Sequence, residues 1–205
     1  KVTFGDNITS IGYDVLYNCT SLRKVTFGKN LTSIGSDALR NCSALDTVVW
    51  NVKTFSITSS GSTPFNASNV SVYSQIKSFT FGPKVETIPA YLCHYMSKIK
   101  TTIIPASVTS IETDAFYGCT SLTGVTLPAN LTSIGSYAFS KCYKLKSITI
   151  PDSVTSIGNY AFYNCTSLTQ INWNAKNVTD SSRFGFIDYA GQYSLLVSDS
   201  FIIPA

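Results

Sequence analysis

The chain has 205 residues, of which 44% are hydrophobic and 13% charged, so it can bury a sizeable core and lacks the composition of a disordered protein. Its net charge of +4 is small and scattered, which argues against nucleic acid or a membrane surface as a partner. No apolar run approaches the roughly 18 residues that span a bilayer, so we expect no membrane insertion.

A 23-residue pattern recurs along the chain. It is clearest in three consecutive blocks: 102–124 (TIIPASVTSIETDAFYGCTSLTG), 125–147 (VTLPANLTSIGSYAFSKCYKLKS) and 148–170 (ITIPDSVTSIGNYAFYNCTSLTQ). Self-similarity at a fixed period of this size is typical of a solenoid, in which each unit buries its apolar face by stacking on its neighbours.

The same period divides the whole chain, so we predict a single solenoid domain over residues 1–205 with about eight coils. In chain order the coils are 2–24, 25–47, 48–78, 79–101, 102–124, 125–147, 148–170 and 171–200. Coils 48–78 and 171–200 are long and irregular, and residues 201–205 begin a ninth repeat. We expect a fragment of a longer protein whose uncapped ends expose strand edges and favour self-association.

The second coil shows the local structure that the pattern predicts. Val25 and Phe27 alternate with outward Thr26, which predicts a short strand with one outward residue. Further along the coil, Leu31 and Ile34 belong to a second extended segment. The remaining apolar residues recur with the spacing of a short helical turn; they are Ala38, Leu39, Cys42 and Leu45. Stacked coils would place equivalent strands side by side in a parallel sheet.

The six cysteines follow the repeat rather than a disulfide pattern. Five of them stand at one repeat position, which in coil 79–101 holds Met96. A position that accepts methionine is a hydrophobic position, and stacked equivalent side chains point the same way, which suits disulfide geometry poorly. We therefore predict buried, reduced thiols.

The pattern L-x-x-[IV]-x-[ILF]-P/G-x-x-[LVI]-x-x-I-G-x-x-A-F-x-x-C, as in residues 145–165, resembles the BspA-like (Treponema pallidum-type) leucine-rich repeat. The resemblance implies a leucine-rich repeat solenoid whose short parallel strands form a concave sheet. It also implies a secreted or cell-surface protein that adheres to host proteins, matrix or other cells. The family offers no catalytic residues to carry over to this chain.

Reactive side chains are sparse. His94 is the only histidine, so no histidine-paired triad or multi-histidine metal site can be built, and its variable repeat position predicts a surface residue. Asp14 and Asp37 share one position and could stack as a carboxylate pair. Because Tyr137 and Tyr160 hold that position in other coils, a solvated face is favoured. We expect no enzyme, no metal and no cofactor.

Two surfaces are candidates for ligand binding. The first is the outward position of the strands, where the candidate residues are Thr26, Thr80, Ile103, Thr126, Thr149 and Asn172. The alternative is that threonine is there only because it is a good strand residue. The second surface consists of loop aromatics in the long coils, namely Phe65, Tyr73, Phe184 and Tyr189. The alternative is that these rings tuck back to cover the widened coils.

These observations predict a non-enzymatic extracellular adhesion module that recognises an unidentified host or cell-surface protein, matrix component or glycan. An alternative of a different class is a structural spacer or self-assembling solenoid with no ligand of its own. An enzyme is the least favoured alternative, because no reactive constellation stands out.

Overall fold

The computed structural model describes residues 1–35, 37–65, 72–176 and 178. Within these ranges the chain winds as a parallel β-solenoid, and each regular coil contributes two short strands joined by turns. This confirms the repeat architecture predicted from the 23-residue period. None of the helices in the described residues is long and apolar enough to cross a membrane.

The first strand of each coil lies beside its equivalents in the neighbouring coils. These strands are β1 (Val2–Thr3), β3 (Lys24–Phe27), β5 (Thr47–Trp50), β6 (Ser78–Phe81), β8 (Thr101–Ile103), β10 (Gly124–Thr126), β12 (Ser147–Ile150) and β14 (Gln170–Trp173). All pairings are parallel, and the register follows the repeat, as in Val2 opposite Val25. The sequence period therefore equals one turn of the solenoid.

The row of first strands is not one continuous sheet, as the sequence predicted, but three. The hydrogen-bonded groups are β1-β3-β5-β6, β8-β10 and β12-β14. In coils with Asn or Gly after the strand, the next backbone N–H extends the ladder, as in Asn51 N–H to the Phe27 carbonyl (3.2 Å). Pro105 and Pro151 stand at this position immediately after the two breaks and have no N–H to donate. Pro128 holds the same position within the paired β8-β10 sheet, so proline shortens the ladder but does not by itself separate the sheets.

A second row of strands follows in each regular coil. They are β2 (Ser10–Ile11), β4 (Ser33–Ile34), β7 (Thr87–Ile88), β9 (Ser110–Ile111), β11 (Ser133–Ile134) and β13 (Ser156–Ile157). They form one pair, β2-β4, and one four-stranded sheet, β7-β9-β11-β13. Threonines just before these strands reinforce the stack, since Thr132 Oγ1 donates to the Thr109 carbonyl at 2.9 Å.

The predicted helical turns are instead series of tight turns. In the first coil, Asp14 and Asn18 have φ values of 55° and 60°, and two left-handed residues four apart do not fit a right-handed helix. Tyr17 N–H donates within the coil to the Asp14 carbonyl (2.9 Å), whereas Leu16 N–H donates to the Ala38 carbonyl of the next coil (2.8 Å). The turn segment thus adds a third hydrogen-bonded contact between coils.

The extra residues of coil 48–78 leave the strand register intact. Thr47 lies opposite Ser78, so the insertion is accommodated between β5 and β6. The inserted segment contains two one-turn 3-10 helices, Ser60–Ser62 and Tyr73–Gln75. Its effect on the solenoid is therefore confined to one coil.

The core is a continuous column of apolar side chains along the solenoid axis. In coil 148–170 the eight predicted inward residues are all at most 4% exposed; they are Ile148, Ile150, Val154, Ile157, Ala161, Phe162, Cys165 and Leu168. The rings of Phe116, Phe139 and Phe162 stack with centroids 5.2 and 5.5 Å apart. Each coil therefore depends on its neighbours for burial, as the period predicts.

Candidate functional site: the strand face and its grooves

The outward side chains of the first strands form a surface that we call the strand face. Thr80, Thr126, Thr149 and Asn172 are exposed on it, and Ile103 is 76% exposed. Thr26 is half-buried. The structure thus brings all six strand candidates onto one face.

Sequence reasoning missed a second outward row on this face. Each longer strand begins one residue earlier than predicted, so it presents two outward residues, as Ser147 and Thr149 do in β12. The added residues are Lys24, Thr47, Ser78, Thr101, Gly124, Ser147 and Gln170. Extending the period-two alternation backwards by one residue would have found them. Hydrogen bonds link part of the face, since Asn172 Nδ2 donates to Thr149 Oγ1 at 3.2 Å.

A groove opens in the strand face at the first sheet break, between β6 and β8. Its cavity volume is about 620 Å³. The wall residues are Ser78, Phe79, Thr80, Phe81, Pro83, Thr101, Thr102, Ile103, Pro105, Ala106 and Ser107. No charged side chain belongs to this wall. A ligand of this groove would therefore be held by apolar contact and neutral hydrogen bonds.

Thr102 places a polar group in the core beneath the groove. It stands at the inward strand position that is Val25 or Ile148 in other coils, and it is 6% exposed. Its Oγ1 has no hydrogen-bond partner. An unpaired buried hydroxyl is unfavourable, so Thr102 makes the core beneath the groove less favourable than the aliphatic residues of other coils do.

A second groove, of about 730 Å³, lies near the second break, between β10 and β12. Thr149 and Pro151 line it together with Trp173 and Asn174 of the next coil. Asp152 and Lys176 are also in its wall, so this groove, unlike the first, carries charge. Each of the two breaks thus has a groove beside it.

The loop aromatics have a different position. Phe65 and Tyr73 are 1% and 3% exposed and belong to the core. Both rings therefore tuck back to cover the widened coil, which was the alternative to ligand binding. Tyr73 also hydrogen-bonds to Thr63. Phe184 and Tyr189 lie outside the described residues. Phe65 and Tyr73 are therefore not part of an exposed binding surface.

His94 is not the surface residue that its variable position predicted. It is half-buried beneath four tyrosine rings, with centroid distances from 4.2 Å (Tyr95) to 6.2 Å (Tyr73); Tyr91 and Tyr117 complete the cluster. Burial lowers the pKa of His94 to about 4, so the imidazole is neutral near pH 7. The surrounding tyrosine rings explain His94 as a packed aromatic side chain, and nothing in its contacts marks it as a general base.

The carboxylate and thiol candidates also have structural explanations. Asp14 and Asp37 both adopt the left-handed conformation that Asp tolerates better than most residues, and Asp37 pairs with Arg40 at 3.4 Å. Burial raises the pKa of the Cys119 thiol to about 12, and its Sγ–H donates to the Cys93 carbonyl at 3.2 Å. Among the described residues, no group of three or more His, Cys, Asp or Glu could hold a metal ion.

This geometry defines the chain as a parallel-strand leucine-rich repeat solenoid. The chain belongs to the family described as the BspA type leucine-rich repeat region, whose pattern matches residues 1–123 and 86–190 in six copies. No match was found among curated proteins.

Solved structures share the fold. A leucine-rich repeat protein of Treponema pallidum is 18% identical with a TM-score of 0.60, and the match covers 82% of this chain and 77% of that protein. A leucine-rich repeat protein of Bacteroides ovatus is also 18% identical, with a TM-score of 0.50, and here the coverage is 88% and 63%. At 18% sequence identity these similarities show a shared fold and nothing more.

Proposed function

We propose that the chain is a non-enzymatic binding module of a secreted or cell-surface protein and that it contacts a protein or glycan ligand through the strand face. The observation that carries the proposal is the exposed strand face, with an uncharged groove beside Ile103. Membership of the BspA type family supports the extracellular location. The lack of a reactive cluster among the described residues is consistent with a role without catalysis.

Ile103 is the centre of this proposal because it is the most exposed large aliphatic side chain among the described residues, at 76%. Thr80 lies on the opposite wall of the same groove. Exposed apolar side chains beside a neutral groove favour a partner with an uncharged, partly apolar contact surface. Rigid strands also fix these side chains in place, which lowers the entropic cost of binding.

The test is adhesion of the purified chain to cultured cells and to coated extracellular matrix proteins. The double variant Ile103→Glu/Thr80→Glu should lose about tenfold or more in binding, since it places charge in the neutral groove. The matched control Thr20→Glu/Ser43→Glu carries the same charge on exposed turns and should bind like the parent. Equal binding by all three proteins, with unchanged circular dichroism, would overturn the proposal.

A further inference from the structure

Lysines gather on the segment that leads from the turns back to the first strand. In coils four to seven this segment comprises residues 95–101, 118–124, 141–147 and 164–170, which together contain five lysines and no Asp or Glu. Coil three supplies a further lysine, Lys77, at the same place. We use the name lysine flank for the five exposed members of this set, Lys77, Lys98, Lys100, Lys144 and Lys146. The sixth, Lys141, is half-buried and lies over the Tyr117 ring.

The stacking of coils aligns these lysines although the sequence scatters them. Thr123 N–H donates to the Lys100 carbonyl at 2.8 Å, and Lys146 N–H donates to the Thr123 carbonyl at 3.5 Å. Lys100 and Lys146 therefore stand in one column, two coils apart. With about 4.8 Å per coil, their backbones are separated by roughly 10 Å along the axis. Lys98 and Lys144 repeat this relation, because they also differ by two periods.

Each lysine pair brackets a buried residue. Ile99 and Leu145 are both 0% exposed and point into the core, so Lys98 and Lys100 both point outward, as do Lys144 and Lys146. Two residues along an extended chain span about 6–7 Å. The two pairs thus form a four-cornered array of positive charges on a rigid surface.

The charge of this array is not neutralised within the described structure. The four ion pairs among the described residues involve Lys29, Arg40, Lys53 and Lys77 as cations. The one pair that reaches the flank is loose, since Lys77 Nζ lies 3.9 Å from Asp46 and the lysine side chain is 67% exposed. Like charges at these distances repel, and a bound polyanion would relieve the repulsion.

We propose that the lysine flank binds an anionic polysaccharide, that is, a linear sugar chain bearing carboxylate or sulfate groups. This goes beyond the strand-face binding proposed above and uses a different surface. Charges repeated along a straight column match the regularly spaced anions of a linear polymer. Lysine suits such a chain because its compact ammonium group does not require the planar, two-pronged geometry that arginine recognises.

The surroundings of the flank favour sugars over other polyanions. Hydroxyl groups lie between the lysines, including those of exposed Thr123 and Ser147, and these can hydrogen-bond to sugar hydroxyls. Exposed rings are few on these segments, since Tyr143 (37% exposed) lies beside Lys144 and Tyr95 (50% exposed) lies two coils away. Single-stranded nucleic acid would call for a series of stacking aromatics. An anionic membrane would call for exposed apolar side chains among the lysines.

The flank is next to the strand face but separable from it. β8 begins at Thr101, directly after Lys100, and β12 begins at Ser147, directly after Lys146. One extended partner could therefore touch both surfaces. Ile103→Glu/Thr80→Glu leaves every lysine of the flank in place, so failure of the proposed function and failure of this inference give different results.

The test measures binding of the purified chain to heparin (sulfated), hyaluronate (carboxylated) and neutral dextran by biolayer interferometry. The flank variant is Lys98→Gln/Lys100→Gln/Lys144→Gln/Lys146→Gln. The matched control, Lys1→Gln/Lys29→Gln/Lys53→Gln/Lys84→Gln, removes the same charge from lysines outside the flank, the strand face and its two grooves. A third variant with arginine at the four flank positions keeps the charge.

We expect the flank variant to lose about tenfold or more in affinity for at least one anionic polymer and to show a weaker dependence on salt. The matched control and the arginine variant should bind within about twofold of the parent, and dextran should not bind. Equal losses in the flank and control variants, or no binding of either anionic polymer at about 0.05 M salt, would overturn the proposal. Tighter binding of single-stranded DNA or polyglutamate than of both polysaccharides would overturn it as well.

Discussion

At the scale of single residues, the coil depends on backbone positions where a side chain has no room. Gly135 follows β11, and a Cβ atom placed there would lie 2.5 Å from Glu112 C and Thr113 N of the preceding coil. Gly35 and Gly158 meet the neighbouring backbone in the same way. The Gly of the T-S-I-G motif is therefore explained by the close approach of successive coils.

The Gly135→Ala substitution should lower the free energy of unfolding by about 1–3 kcal/mol, because the added methyl group forces the stacked backbones apart. The measurement is urea denaturation followed by circular dichroism. Gly124→Ala is the matched control, since nothing lies within 4 Å of a Cβ atom at Gly124. The control should be close to the parent in stability. Equal effects of the two substitutions would contradict the close-approach explanation.

His94 is the residue at which the structure predicts a dependence on pH. Its pKa is about 4 in the folded protein because of burial, against about 6.5 for an unfolded histidine. The unfolded chain therefore binds the proton first, and folding stability falls as the pH drops from about 6.5 to about 4. Asp114 acts in the opposite sense, because burial raises its pKa to about 6 and its protonation favours the fold.

The His94→Phe variant keeps an aromatic ring among the tyrosines but cannot take up a proton. Its stability relative to the parent should therefore increase between pH 7 and pH 4.5, whatever the offset at pH 7. Urea denaturation at both values measures the change. Asp114→Asn is the companion variant and should make the parent's loss at low pH steeper. A pH-independent difference between parent and His94→Phe would show that His94 titrates normally.

At the scale of elements, each coil contributes a strand row, a second strand row and a turn segment, and each is tied to the next coil by its own hydrogen bonds. The cysteines at the shared repeat position lie above one another in the turn segment, and we call Cys19, Cys42, Cys119, Cys142 and Cys165 the thiol column. Cys142 Sγ–H donates to the Phe116 carbonyl at 3.3 Å and Cys165 Sγ–H to the Phe139 carbonyl at 3.1 Å. Cys19 occupies the same position in the first coil but is exposed.

The burial of the cysteines predicts that only the Cys19 thiol reacts in the folded protein. In this 205-residue chain, Cys19 should react with iodoacetamide within minutes at pH 8, since the reagent needs access to the thiolate. The other five cysteines are buried, and burial raises the pKa of Cys93, Cys119 and Cys142, so they should react only after unfolding. Mass spectrometry of native and urea-treated protein counts the labels. Two or more labels at early times under native conditions would contradict the column.

At the scale of the whole molecule, the solenoid is a one-dimensional stack in which each coil contacts only its neighbours. Phe139, for example, lies between Phe116 and Phe162 with nearly parallel rings. Removal of one full coil brings equivalent residues together and leaves the stack continuous. Removal of one residue less than a full coil shifts every later side chain by one position relative to the preceding coil.

Deletion of residues 125–147 should therefore give a shorter, folded solenoid, whereas deletion of residues 125–146 should not. The second deletion leaves one residue too many in a coil, which must loop out or turn apolar side chains toward solvent. Far-ultraviolet circular dichroism and the cooperativity of thermal unfolding distinguish the two proteins. Similar unfolding of both would show that the coils tolerate register changes, as coil 48–78 tolerates its insertion between β5 and β6.

The fold could be predicted from sequence because one pattern is repeated and a wrong assignment in one coil is corrected by the others. The candidate site could be predicted only in part. The strand residues such as Thr80 and Ile103 follow from alternation, and they lie on one face as expected. The groove beside them could not be predicted, since it results from a pairing lost between particular coils.

The sequence by itself determined the period, the inward residues and the parallel register, because burial of a repeated apolar set has one solution when every unit must stack on the next. Only the tertiary structure decided how the strand row is divided and which side chains from different coils meet. It divided the strand row into three sheets, buried Phe65 and Tyr73, and enclosed His94 among tyrosines. It also gathered lysines 46 residues apart, such as Lys100 and Lys146, into one column, because contacts between coils depend on stacking and not on separation along the chain.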